Sequence, residues 1–510
     1  MPRPKLQIIV LFQNLGEDRP YYARSPSPPL SGALLAGLTP PSVEVELLHE
    51  MVRPIDYDTD ADFIALSFMD YCAPHAYRVA REFRRRGKVV VAGGRYASTF
   101  PDAVAPHVDA VVVGEAERVW PQVVADLLRG HLAPRYEAEF APPLDGIPPP
   151  RYDLVEPTFS VPVVTEATRG CPHRCTYCQL NIRPAPHRKR PIADVIRDLG
   201  ATARLPFRKR RIAMLYDNNL GGDMAYAKAL LREIARLKLW ALGVQFSIEC
   251  LEDAEFVELL EAARCRMAFL GMESLNQPSL AAVGKTHNRV ARYREHFADL
   301  RRRGILVFAG TMLALDEDTV EYYEKLPELL EEVDPAAIFL SMAIPIPGTP
   351  MHRQLAREGR IVDHDLARYD GDHLVQQPTK VTALEVLTAA ARVRRRFYSW
   401  GSIVRRWGRL MRDFLIGRRF LARLAPAAVL SLILWQLSVF QRKHARERVN
   451  PLLAEARRVA ELDRGLRPAG HPTARRDGRG GTGAALASGT YEARLKAGDG
   501  APTRKAALFR

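Results

Sequence analysis

The stretch Val161-Pro-Val-Val-Thr-Glu-Ala-Thr-Arg-Gly-Cys171-Pro-His-Arg-Cys175-Thr-Tyr-Cys178 runs from a short apolar strand into a loop that carries three cysteines. It opens a run of alternating elements. Strands are expected at 162–167, 212–217, 243–249, 266–272, 305–313 and 337–343, with helical stretches near 191–203, 223–238, 252–263, 288–303 and 318–332. Six such units without a seventh and eighth predict an open (β/α)6 partial TIM barrel, with its chemistry in the loops at the carboxyl ends of the strands. The cysteines fall in the first of those loops. Three thiolates at this spacing can wrap one face of a cubane iron–sulfur cluster and leave one iron without a protein ligand. A zinc site is the competing reading, but structural zinc closes with four ligands in two paired sets, and no second pair is present. His173, inside the motif, would be a cramped fourth ligand.

Upstream, residues 5–130 alternate in the same way. Strands are expected at 6–12, 43–47, 63–68, 89–92 and 110–113, and helices at 29–38, 73–86 and 115–128. Continuous Val/Ile runs between helices indicate a parallel sheet covered on both faces. Gly93, Gly94 and Gly114 directly follow strands, where they let a ligand approach the backbone. The chain is therefore expected to be α/β in both domains. A Rossmann-like (flavodoxin-like) domain spans 1–140, a proline-rich linker 141–160 and the barrel 161–390. A basic helical extension at 391–464 and a disordered Arg/Gly/Ala/Pro-rich tail at 465–510 follow. The apolar run Ile8–Phe12 has the length of a strand, not of an export signal. Cys72, Cys250 and Cys265 are expected to be buried small hydrophobes.

The net charge of +15 is local. Residues 1–390 carry 47 Lys and Arg against 51 Asp and Glu, whereas 391–510 carry 27 against 8. A nucleic-acid-binding catalytic body is therefore excluded. Val393, Phe397, Trp400, Val404, Trp407, Met411 and Phe414 recur at steps of three and four among arginines. That pattern predicts one amphipathic helix with a cationic face, suited to an anionic membrane surface. Leu424–Phe440 is free of charge but, at seventeen residues, only just long enough to span a membrane. The expected location is cytoplasmic, peripheral on the inner membrane face. The bland alternative is that these helices pack against the barrel.

The cysteine motif, with Tyr177 before its last cysteine, resembles the signature of the radical S-adenosylmethionine (SAM) superfamily, in the branch with an N-terminal cobalamin-binding domain. More segments match in order. Tyr216-Asp217-Asn218-Asn219-Leu220 is similar to the segment that binds the methionine amino group. Phe269-Leu-Gly-Met-Glu273-Ser274 is similar to the Gly-x-Glu-Ser element near the SAM ribose and carboxylate. Gly304–Thr319, with Gly310, resembles the strand that passes the adenine, although Ala314 stands where a second family glycine is expected. Pro345–Pro350 matches a proline-rich turn. The resemblance implies a 4Fe-4S cluster on Cys171, Cys175 and Cys178, with SAM contacted by Tyr177, Asp217, Asn219, Glu273, Ser274 and Gly310. Asp217 could instead cap the next helix.

The first domain resembles the cobalamin modules of this branch through Gly93-Gly94 and Asp109–Glu117, with Gly114 inside the latter. The Asp-x-His-x-x-Gly element that supplies a cobalt-binding histidine is absent; the sequence there is Leu48-His-Glu-Met-Val-Arg53. His75 is the rival ligand. The implied enzyme is a cobalamin-dependent methyltransferase acting on an unactivated carbon of a lipid, tetrapyrrole or other small molecule, fed by a flavodoxin or ferredoxin. A cyclase or rearrangement enzyme of the same architecture, and a non-catalytic iron–sulfur scaffold, are the alternatives.

Overall fold

Apolar side chains on both faces of each strand build the first sheet. The structure is a computed structural model that describes residues 3–12, 27–205, 211–415, 442 and 452. The N-terminal elements are β1 (Lys5–Val10), α1 (Leu30–Leu38), β2 (Glu44–His49), β3 (Phe63–Ser67), α2 (Ala73–Arg85), β4 (Val89–Gly93), α3 (Arg95–Thr99), α4 (Pro101–Val104), β5 (Ala110–Val113), α5 (Trp120–Arg129) and β6 (Arg135–Glu137). The strands pair in parallel in the order β2-β1-β3-β4-β5-β6. Ile9, Ile64, Leu66, Val90 and Ala92 pack against α2. Leu6, Ile8, Val10, Ala65, Val91 and Val112 pack on the opposite face, against α1 and α5. This is the doubly covered parallel sheet expected from the sequence, with one short edge strand, β6, in addition. The proline-rich segment is no free tether. Phe159 is fully buried in the α1/α5 core, and Glu156 receives the His49 N–H at 2.8 Å.

The second sheet is β14-β13-β12-β11-β10-β7, again all parallel and not closed. Its elements are β7 (Val163–Thr165), the β8 (Thr168–Arg169) and β9 (Arg188–Lys189) hairpin, α6 (Ile192–Gly200), β10 (Ile212–Leu215), α7 (Met224–Arg236), β11 (Ala241–Phe246), α8 (Ala254–Ala262), β12 (Cys265–Glu273), α9 (Gln277–Ala282), α10 (Val290–Arg302), β13 (Leu306–Leu313), α11 (Val320–Val333), β14 (Ala337–Met342) and α12 (Pro350–Arg357). Alternation divides each strand. Leu242, Val244, Ala268, Leu270, Val307, Ala309, Ile338 and Leu340 face the helices. Gln245, Phe269, Gly271, Phe308, Gly310 and Phe339 lie in the opposite phase and therefore face the lumen.

The expected single amphipathic helix is two helices, α13 (Ala383–Phe397) and α14 (Trp400–Leu415). A Thr382/Glu385 capping box starts α13, and Val386, Leu387, Val393 and Phe397 join the helix-side core. Leu410 of α14 packs on Met267, Leu306, Phe308 and Ala337, so this helix closes the amino-terminal end of the lumen. The expected cationic face is not free. Arg396 and Arg405 pair with Glu331, Arg409 with Asp334 and Arg412 with Asp413. Arg406 is buried, with its guanidinium 3.7 Å from the Phe397 ring centroid and an N–H donated to the Phe397 carbonyl at 2.8 Å. Burial lowers its pKa to about 10. The proximity of α11 acids explains the difference: these arginines balance charge within the fold. Among the described residues no helix is long and apolar enough to cross a membrane. Phe414's side chain, Leu424–Phe440 and the tail 465–510 lie outside the description.

Candidate active site

The cysteine loop leaves the β8–β9 hairpin at Gly170, whose φ of +96° and closeness to the Pro186 carbonyl, 2.8 Å from where a Cβ would sit, demand glycine. Asn218 Oδ1 accepts the Gly170 N–H at 3.0 Å, and Asn181 donates to the Cys175 carbonyl at 2.8 Å. All three motif cysteines are free thiols, Cys175 buried and the other two half-buried. Burial pushes the Cys175 and Cys178 thiols up, and Cys171 adds to the rise in both. Asn219 Nδ2 lies 3.8 Å from Cys171 Sγ. Convergent, desolvated thiols are what a bound cluster would resolve, since it holds them as thiolates. Cys72, Cys250 and Cys265 are buried elsewhere; a Cβ on Gly221 would collide with Cys250 Sγ.

Around this loop the barrel mouth gathers charge. Glu273 ends β12 with φ of +63°, and its Oε1 is 3.5 Å from Lys285 Nζ. A Cβ on Gly271 would sit 2.5 Å from that same carboxylate, and one on Gly310 3.5 Å from its other oxygen. The Tyr177 ring packs with Val283, Met312, Leu315, Ala343 and Met351, and burial raises its pKa well above the usual phenol range. Ala314 holds φ of +67°, the backbone a glycine adopts freely, at the position where the resemblance expects one.

Two of the expected contact residues face the scaffold. Asp217 Oδ1 accepts the N–H groups of Ala167 and Thr168 and the Thr168 hydroxyl at 3.1, 2.5 and 2.6 Å. Burial pushes its pKa up to about 7. The alternative cap role belongs to Asp223, which receives the Tyr226 N–H. Ser274 is fully buried, with its hydroxyl 3.1 Å from Tyr322 Oη. Asn219 Oδ1 accepts the Ser247 N–H at 3.1 Å, which turns its amide nitrogen to Cys171.

Sequence reasoning missed a cluster at the same mouth. His173 Nε2 is 2.6 Å from Glu249 Oε1, and its ring stacks on His287 at 3.5 Å between centroids. Against the opposing effect of burial, hydrogen bonds from His173 and Ser247 hold Glu249 down at about 2. Only the position of His173 inside the motif hinted at this; Glu249 and His287 come from separate βα loops.

The carboxyl edge of the first sheet faces this loop. Gln179, next to Cys178, donates to Asp70 Oδ2 at 2.6 Å. The other Asp70 oxygen is buried without a partner among the described residues. Arg95, next to Gly94, lies near both Asp70 and Cys178. Arg169 pairs with Glu115, Glu117 and Glu166, and Arg188 reaches Glu115 at 2.5 Å. These pairs join the loop after Gly114 to the hairpin that leads into Cys171. Gly94, with φ of +98°, is required by the chain itself, since a Cβ there would sit 2.6 Å from the Phe68 carbonyl. Gly93 ends β4, and the Gly114 N–H donates to Ser98 at 2.9 Å. Both histidines near the edge are engaged, His75 Nε2 with Glu50 and His49 Nδ1 with Glu156, each at 2.5 Å.

Residues 165–330, from β7 to α11, match the model described as the radical SAM superfamily. The chain carries a radical SAM domain. Bacteriochlorophyllide d C-8(2)-methyltransferase of Chlorobaculum tepidum is 29% identical over 82% of this chain and 94% of its own length. Hopanoid C-2 methylase of Rhodopseudomonas palustris is 24% identical over 81% and 80%. The solved structure of OxsB, described as a cobalamin-dependent SAM radical enzyme with aqua-cobalamin and SAM bound, covers 91% of this chain and 81% of its own at a TM-score of 0.58 and 14% identity. The two chains share a fold over both sheets. That domain implies a 4Fe-4S cluster and SAM, and the three thiols without a fourth cysteine beside them fit a cluster with one open iron.

Proposed function

We propose that this radical SAM enzyme is a cobalamin-dependent methyltransferase acting on an unactivated carbon of a largely apolar, ring-containing small molecule. The observation that carries the reading is the apposition of the two carboxyl edges through Asp70–Gln179 and Arg169–Glu115/Glu117, one edge ending in the cysteines. The named activities of the bacteriochlorophyllide and hopanoid relatives, both methyl transfers to carbon, support it. When bound, the cluster supplies the electron for reductive cleavage of SAM and cobalamin carries a methyl group.

The chain's residues divide the work. Cys171, Cys175 and Cys178 hold the cluster, and Asn219 donates toward a ligand sulfur. Tyr177 and Gly310 border the adenine, and the Glu273–Lys285 pair meets the polar end of SAM. Asp217 and Ser274 act one layer back, where they hold the hairpin and the β12 end in place. Gly93, Gly94 and Gly114 lie where cobalamin would meet the sheet edge. His49 and His75 each have one ring nitrogen against a carboxylate. The apolar lumen excludes water from a carbon radical. A small flavodoxin or ferredoxin is the fitting electron donor. A scaffold role would need the cysteines alone and gives no reason for the charged mouth. With methyl-labelled SAM and substrate, the label should appear on a carbon of the product; label that never leaves SAM and its by-products contradicts methyl transfer.

Trp400, Val404 and Trp407 are 45%, 56% and 41% exposed along one side of α14. This stripe supports contact with a membrane surface through apolar burial, since the neighbouring arginines are paired within the fold. Replacing Val404 and Trp407 by Ser should weaken co-sedimentation with phosphatidylglycerol vesicles by about tenfold or more, with little dependence on salt. Equal sedimentation of both proteins contradicts this contact.

A further inference from the structure

Three aromatic rings gather on the lumen face of the barrel, on neighbouring strands β12, β13 and β14. Phe269 and Phe308 are paired across β12 and β13, with ring centroids 4.9 Å apart and planes 27° from parallel. Phe339 lies 6.2 Å from Phe269 and 6.3 Å from Phe308, again within 29° of parallel. Three rings on one sheet face, all nearly parallel, make a single aromatic patch. Phe339 is 45% exposed, unusual for a phenylalanine on the inner face of a barrel.

The register explains the opening. One step toward the barrel mouth from the Phe269/Phe308 row, Gly271 pairs with Gly310, and Gly310 with Phe339. Two adjacent strands therefore present no side chain at the level where Phe339 stands. The space left beside Phe339 and the half-buried Phe269, with Phe308 buried against them, is bounded at the mouth by Glu273, which lies over both glycines, and by Lys285 over Gly271. Below it, Leu410 of α14 seals the lumen with Met267, Leu306 and Ala337. The one polar side chain in the aromatic row is Gln245, paired with Phe269 across β11 and β12 and exposed to the lumen.

We propose that this patch is the substrate platform and that it selects a flat, conjugated ring system, such as a tetrapyrrole macrocycle, over a puckered aliphatic polycycle. The inference rests on the reading of the barrel mouth as the reaction site. Parallel rings offer offset stacking to an extended π face, whereas a puckered polycycle touches them only at projecting hydrogens and methyls. The glycine row lets the Glu273–Lys285 pair sit close to the sheet as a polar edge of the space, and Gln245 offers a hydrogen bond to a polar rim of the ring. The ring then lies beneath the Glu273–Lys285 pair, with its rim toward the cysteine loop.

The test is equilibrium dialysis of the reconstituted holoenzyme against zinc pheophorbide a, with the aliphatic triterpenoid diplopterol as the comparison. The wild-type protein should bind the macrocycle, and at least tenfold more tightly than the triterpenoid. Phe339→Ala, at an exposed position that leaves the core intact, should weaken macrocycle binding by about 5- to 10-fold, the weight of one aromatic stack. Phe339→Trp should restore it. No macrocycle binding, tighter binding of diplopterol, or equal binding by wild type and Phe339→Ala overturns the platform. The readout needs no turnover, so macrocycle binding without any methyl transfer would instead count against the methyltransferase reading and leave the platform standing.

Discussion

Cys175→Ala should leave a folded protein that no longer cleaves SAM reductively. Cys175 is the buried member of the motif, its carbonyl is held by Asn181, and its place on a cubane face has no substitute among the described cysteines. Anaerobic reconstitution of the wild-type chain should give about four irons, the content of one cluster; the variant should fall well below that. Formation of 5′-deoxyadenosine should drop by more than the roughly 100-fold that loss of a mere supporting partner causes. Cys250→Ala, in a buried thiol beside Gly221, should keep both iron and cleavage. Cleavage that survives Cys175→Ala would remove the cluster from this loop.

Arg169→Leu should be the most damaging change outside the cysteines. Arg169 is the shared cation of Glu115, Glu117 and Glu166, and with 15% of its side chain exposed it is shielded from most solvent screening. Its loss leaves Glu117 and Glu166 half-buried without that partner, while Glu115 keeps Arg188. Removing one member of such a network costs roughly 3 kcal/mol, or about 6–12 °C in melting temperature for a domain of this size. The same network joins the two sheet edges. The variant should therefore form 5′-deoxyadenosine in excess over S-adenosylhomocysteine, a split that simple destabilisation does not produce. The network also sets a pH dependence. Against the opposing effect of burial, Arg188 and Arg169 hold Glu115 below the usual carboxylate range. Its contribution to stability is thus complete at neutral pH and is lost as pH falls through and below that range. An unchanged melting temperature and product ratio in Arg169→Leu would show the latch to be incidental.

Much of this architecture was legible because it rests on local pattern. The Val/Ile runs gave the strands nearly in place, and the order of the glycine and cysteine segments gave the barrel. What stayed hidden depends on distant contacts. The α14 arginines looked like a free cationic face because Glu331 and Asp334, their partners, lie more than sixty residues earlier. Periodicity chose Trp400, Val404 and Trp407 as the apolar stripe suited to a membrane surface, and they are exposed, while Ile403, Arg406 and Leu410 are the buried positions. A buried arginine satisfied by a carbonyl and an aromatic ring breaks the simple rule that charge faces water. Likewise, Phe269, Phe308 and Phe339 sit in apolar strands whose two faces cannot be told apart by composition. Only the strand register, with the opposite phase packed on the helices, distinguishes the lumen side. Glu249 and His287 meet His173 across the barrel mouth, which no spacing along the chain records.

The central claim is that radical cleavage of SAM at the cysteine loop is coupled to methyl transfer from the facing sheet edge. The most direct measurement is the ratio of 5′-deoxyadenosine to S-adenosylhomocysteine during turnover. It should be made anaerobically with trideuteromethyl SAM, a reductant, cobalamin and either a bacteriochlorophyllide or a hopanoid as substrate. The account predicts near-equal amounts of the two products and one trideuteromethyl group per product molecule. Product formed with 5′-deoxyadenosine but without S-adenosylhomocysteine or label would contradict it, and would make the enzyme a radical cyclase or rearrangement catalyst instead.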